Sequence, residues 1–353
     1  MRHVWIFCIL ALLCTSPALG AELSVPGLDQ VWEEAEGYGV ARGEGLEDGL
    51  HGLLAGALDQ VGGFLRASLS TAVRLAAVVL LCSLAQSARP EEGEGLQAVT
   101  VAGALAVTAL TMTDMAAMIG MGRDTLGRME EFSSVLLPVM AVLTAATGGV
   151  TAAAARQGAT VLFSQLLLTA MDRLLIPLVY AFVAVSCAHA AVGNPGLKRV
   201  GELLKSVITF FLTAMLLAFV GYLTASGAIA GSVDAAAVKA ARMAISRAIP
   251  VVGGILADAS ESVLAGAGAL RGSVGAAGML VVLAICAAPF LRLALHYLVY
   301  RGTAALCATV AQPKLSGLIE AIGSAFGLVL GMTGAGALVL LVSLVTAVGA
   351  AAL

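Results

Sequence analysis

The sequence predicts an all-α, polytopic membrane protein with about seven transmembrane helices, two of them bent at proline. Three observations predict it. Of 353 residues, 60% are hydrophobic and 12% charged, and the mean hydropathy is +0.99, whereas ordinary soluble domains run near about 25% charged. A soluble core of this length would need a polar shell that so few charges cannot make. The apolar residues are gathered in runs long enough to cross a bilayer, and an export signal precedes them. The same composition excludes disorder. The formal charge of −3 argues against nucleic-acid binding.

Residues 1–20 read as a signal peptide. Arg2 and His3 form a short positive region, and Val4 to Cys14 is apolar but shorter than a bilayer span. Ala18 and Gly20 then stand where a cut after Gly20 wants small residues. Leu13 before Cys14 argues against lipidation. Residues 21–66 form an acidic exported arm, in which nine acids face two arginines, Arg42 and Arg66. Leu46, Leu50, Leu53, Leu54, Leu58 and Val61 recur at helical spacing, which predicts an amphipathic helix.

Seven apolar segments follow, at 67–87, 97–119, 133–153, 159–190, 206–229, 274–310 and 322–350. The first two make a pair of transmembrane helices over 67–120. The segments 159–190 and 274–310 exceed one straight span of about 20 residues and contain Pro177 and Pro289. Proline removes an N–H and clashes with the preceding turn, so each is one bent helix or two short ones. Lys and Arg are too evenly spread to fix the orientation, and the export signal puts the mature N-terminus outside.

The prolines also point to an internal duplication. Pro177 follows Pro138 by 39 residues and Pro289 follows Pro250 by 39. Glu202 then lies seven residues after Pro195, as Glu320 lies seven after Pro313. Two membrane units result, over 128–230 and 231–350, with an insertion in the second. The second opens on a basic amphipathic helix carrying Lys239, Arg242 and Arg247, suited to anionic headgroups and ended by Pro250. Gly253 and Gly254, with the polar residues up to Ser262, suggest irregular backbone. Pro138, Pro177, Pro250, Gly253, Gly254 and Pro289 are the expected hinges or breaks.

Ionisable groups within spans must be paired or wetted. Arg74, Asp114, Asp172, Arg173 and Arg292 are the candidates. Thr100, Gly103, Thr111 and Asp114 share a helix face, as do Gln165, Thr169 and Asp172. These stripes read either as a polar path or as glue between helices, with Asp114 or Asp172 satisfied by Arg74 or Arg173. Gly323, Gly327 and Gly331 repeat every four residues, a spacing that lets helices approach closely. Four scattered histidines and six isolated cysteines make no metal site. No phosphate loop, GxSxG or HExxH occurs, so no enzyme activity, cofactor or catalytic residue is expected.

The run Lys239-Ala-Ala-Arg-Met-Ala-Ile-Ser-Arg-Ala-Ile-Pro-Val-Val-Gly-Gly254 resembles the stage III sporulation protein AE family of endospore-forming bacteria. So does Pro289-Phe-Leu-Arg292-Leu-Ala-Leu-His-Tyr-Leu-Val-Tyr300-Arg301 with Gln312-Pro313, where the family often carries Lys in place of Arg292 and Arg301. The resemblance implies a multi-pass subunit of the mother-cell (outer forespore) membrane. It would belong to a channel or secretion-like complex, beside other membrane subunits and, indirectly, a separate cytosolic ATPase. The alternative of another class is a stand-alone secondary transporter or permease.

Overall fold

The computed structural model describes residues 27–38, 40, 46–87, 94–146, 151–230, 253–310 and 313–349. Among them every regular element is a helix: α1 (Leu28–Gly37), α2 (Leu46–Ser87), α3 (Glu94–Ala146), α4 (Thr151–Ala170), a π-helical turn (Met171–Leu175), α5 (Ile176–Val192), α6 (Pro195–Ala230), α7 (Gly253–Ala308) and α8 (Pro313–Gly349). The export signal, together with Lys239, Arg242, Arg247 and Pro250, lies outside the described residues.

Six helices are long and apolar enough to cross a membrane: Val61–Ser87, Ala98–Leu143, Gly158–Val192, Pro195–Phe219, Gly272–Ala308 and Pro313–Val345. The protein is thus an all-α polytopic membrane protein. The sequence separates 97–119 from 133–153, but α3 runs unbroken through both. The intervening polar stretch keeps the helical repeat, because Met118, Ile119, Leu126, Met129, Phe132 and Leu136 are buried on one face. Its charges find partners or face outward. The domain boundaries at 66, 120 and 128 consequently fall inside α2 and α3.

The prolines behave differently from one another. Pro138 and Pro289 sit inside α3 and α7 without ending them. Pro177 lies in the first turn of α5, directly after the π-helical turn. Its missing N–H leaves the Arg173 carbonyl without an α-helical donor, and the wider turn absorbs the mismatch. Gly253 and Gly254 are not irregular backbone: they are the first residues of α7. The alanines that alternate with Asp258, Ser260 and Glu261 favour helix strongly enough to carry it through the polar stretch.

The α5–α6 connection is a two-residue turn. Gly193 takes φ 74° and donates its N–H to the His189 carbonyl at 2.7 Å, a left-handed helix cap that favours glycine. Asn194 Oδ1 then accepts from the Gly196 N–H at 2.8 Å, capping α6 with Pro195 in its first turn.

α8 is the central helix. It packs along α7 and also meets α3, α4, α5 and α6, whereas α2 and α6 lie at the rim. α1 docks across α3 and α7 through Val31, Trp32 and Ala35. Gly27, at φ 85°, begins α1 against Val139.

Candidate functional site

Depth in the bundle follows from helix rise. Gly103 meets Cys82 and Leu315 so closely that an added Cβ would stand 2.7 Å from Cys82 Sγ and 3.2 Å from Leu315 Cδ1. Counted from that level at about 1.5 Å per residue, Asp114 lies about 16 Å along α3 and Arg123 about 30 Å. Asp114 thus falls in the first half of the candidate span Ala98–Leu143 and Arg123 just past its middle.

At the level of Asp114 the bundle is filled. Tyr300 is fully buried and donates its hydroxyl to Asp114 Oδ2 at 2.9 Å. Its ring meets Phe326 edge-on at 5.0 Å, and Phe326 meets His296 edge-on at 6.1 Å. His296 Nδ1 lies 2.9 Å from the Arg292 carbonyl and 3.2 Å from Ser68 Oγ. The carbonyl can only accept, so Nδ1 carries the proton. The Arg292 guanidinium stands 5.4 Å over the Phe64 ring. Polar contacts thus join α7 to α3 through Tyr300 and to α2 through His296, with the Phe326 ring between the two.

Further along α3, Arg123 Nε pairs with Asp172 Oδ1 at 3.0 Å, and Thr169 donates to Glu130 Oε1 at 2.6 Å. Asp114 and Asp172 are thus satisfied, but by Tyr300 and Arg123 rather than by Arg74 or Arg173. Both of those arginines are exposed: Arg74 points off the outer face of α2, and Arg173 off the π-helical turn. The other stripe residues also bind locally. Gln86 Nε2 donates to the buried Thr100 at 3.3 Å, and the buried Thr111 donates to its own helix at the Val107 carbonyl. Sequence reasoning missed Tyr300 and His296 because an aromatic residue in an apolar run carries no mark of a polar partner.

The glycine row on α8 lies against three partners. A Cβ on Gly323 would stand 3.1 Å from Tyr300 Cβ, one on Gly327 2.9 Å from the Tyr297 ring, and one on Gly331 3.5 Å from Leu212. The first two contacts let α8 approach α7 closely.

Two cavities adjoin this frame. One, of about 530 Å³, opens where the starts of α6 and α8 meet, and Lys198, Glu202, Lys205, Lys314, Glu320 and His189 line it. Its groups answer one another: Lys198 faces Glu202 at 3.9 Å, Arg301 faces Glu320 at 3.9 Å, and Lys205 donates to Ser324 at 3.3 Å. The other, of about 400 Å³, lies between Ile285 and Pro289 of α7 and Asp124, Thr125 and Arg128 of α3. Among the described residues no group of three His, Cys, Asp or Glu could hold a metal.

A family model described as stage III sporulation protein AE matches residues 43–351. Stage III sporulation protein AE of Bacillus subtilis (strain 168) is 22% identical over 204 residues, covering 58% of this chain and 50% of the relative. The matched part spans about half the length of that relative. No solved structure matches.

Proposed function

Because the chain belongs to the stage III sporulation protein AE family, we propose that it is an integral subunit of a channel or secretion-like complex between mother cell and forespore. In this reading its N-terminal segment is exported behind a cleaved signal peptide. The chain resides in the mother-cell membrane that surrounds the forespore. Other membrane subunits are its direct partners, and a separate cytosolic ATPase supplies energy indirectly.

One observation supports a subunit over a self-sufficient carrier. The interior around Asp114 is packed with Tyr300, Phe326, Met118 and Ile119, each at most 1% exposed. A solute path through one copy would have to displace these rings, at the cost of burying or unpairing Asp114. Passage, if the complex conducts, runs between chains. The rim helices suit that arrangement, since Leu81 and Leu84 of α2 and Phe210 and Leu217 of α6 are exposed.

The charged cavity at the starts of α6 and α8 favours the second reading, a stand-alone secondary transporter or permease. There Lys205, Glu202 and Glu320 would bind a solute from one side. The deciding experiment is purification of the tagged chain from sporulating cells in mild detergent, then reconstitution in liposomes. The subunit reading expects other membrane proteins to co-purify and the chain alone to move no solute. A chain that elutes alone and carries solute overturns it.

A further inference from the structure

Arg74 lies midway along the apolar stretch Val61–Ser87 of α2, on its exposed face. Thirteen residues of that stretch lie on either side of it, about 20 Å of helix each way at the helical rise. The opposite face of α2 is committed to the bundle through Ser68, Leu75 and Val79. Among the described residues Arg74 has no carboxylate, carbonyl or ring partner. Asp114, on the neighbouring α3, is taken by Tyr300. An unpaired guanidinium facing lipid tails at this depth is strongly disfavoured, and such groups face protein or water instead.

The surface around it has the shape for a helix. Ala67, Ser70, Arg74, Ala77, Leu81 and Leu84 are all exposed and follow one another at alternating spacings of three and four. That is the seam of a left-handed helix pair, with small residues on both sides of the charge. The outer face of α6, with Phe210 and Leu217, carries no charge at mid-span and suits lipid. A symmetric contact between two copies through α2 would oppose Arg74 to Arg74, which like charges forbid in this medium.

We propose that this seam of α2 is the docking surface for a transmembrane helix of a different subunit, one that carries an aspartate or glutamate at mid-membrane to pair with Arg74. Small side chains at Ala67, Ser70 and Ala77 let that helix come close enough for a bidentate guanidinium–carboxylate contact. The pairing fixes register as well as partner, because a slip of one turn would strand both charges.

This inference rests on the assembly reading above, and the test separates the two. The full-length chain carrying Ser70→Cys or Ala77→Cys, in a background without other cysteines, is cross-linked in sporulating cells and purified by a tag. Each cysteine is expected to join a membrane protein that has Asp or Glu inside a spanning helix. Arg74→Leu removes no contact within the chain, so protein levels and detergent stability stay unchanged while the cross-link falls at least about tenfold. Arg74→Glu abolishes the cross-link, and reversing the partner's acid to arginine restores it. A cross-link to a second copy, to a partner without an intramembrane acid, or undiminished by Arg74→Leu overturns the docking proposal and leaves membership of a complex standing. A chain that purifies without any membrane partner overturns both.

Discussion

At the scale of single residues, the strength of a polar contact depends on where the bilayer leaves it. The Tyr300–Asp114 contact lies inside the bundle, where Tyr300 is fully buried and no water replaces a lost donor. Tyr300→Phe is expected to cost about 1–3 kcal/mol, read as a lower unfolding temperature in detergent, with Asp114→Asn recovering part of the loss in the double variant. The Arg123–Asp172 pair is nearly as short, but Arg123 is 61% exposed. Arg123→Ala is expected to change stability by at most about 1 kcal/mol in the same measurement. Equal effects from the two substitutions would contradict a dependence on burial. Asp114 and Asp172 were legible in the sequence, since a carboxylate in an apolar run announces itself. Their partners were not. Tyr300 lies 186 positions from Asp114, and Arg123 sits in a stretch that reads as a loop. The glycine row was legible for the same reason as the acids, because its four-residue period is a local pattern.

The helices themselves were legible where apolar runs had flanks, and less so where two runs shared one rod. Gly120 to Glu131 looks like a connection by composition, yet its buried positions keep the period of α3. A weaker period, read through the charges, was the available signal. The π-helical turn before Pro177 was foreshadowed as a bend, while Pro138 and Pro289 caused no break. α1 offers a test at this scale. Burial raises the Glu34 carboxyl above its ordinary value, and the neighbouring Glu131 charge adds to the rise. The docked state therefore keeps a proton that the undocked helix releases at lower pH. Docking is favoured at acid pH and weakens as pH climbs from the ordinary carboxylate value through the raised one. Hydrogen exchange at the amides of α1 should accelerate across that window, beyond the intrinsic pH dependence of exchange, and Glu34→Gln should remove the excess. An excess unaltered by the substitution would assign it to another group.

The whole molecule is taller than the membrane it crosses. α3 has 53 residues and α7 has 56, so each reaches about 80 Å at the helical rise against a hydrocarbon layer of about 30 Å. Both extend past the level of Arg123 in the same direction, and α1 covers them there. The end of α8 lies at that end too, since a Cβ on Gly275 would meet both Val348 and Met140. In a cysteine-free background, Ser134→Cys should react with a membrane-impermeant maleimide and Leu105→Cys should not. Both side chains are exposed on α3, so protection of both would mean that the upper part of the bundle is sheathed. The unbroken path of α3 has a mechanical consequence. Because α3 is one continuous helix packed along α7 and α8, a sideways push on its end near Glu131 is carried by the hydrogen-bonded backbone toward Gly103 and shared with those neighbours.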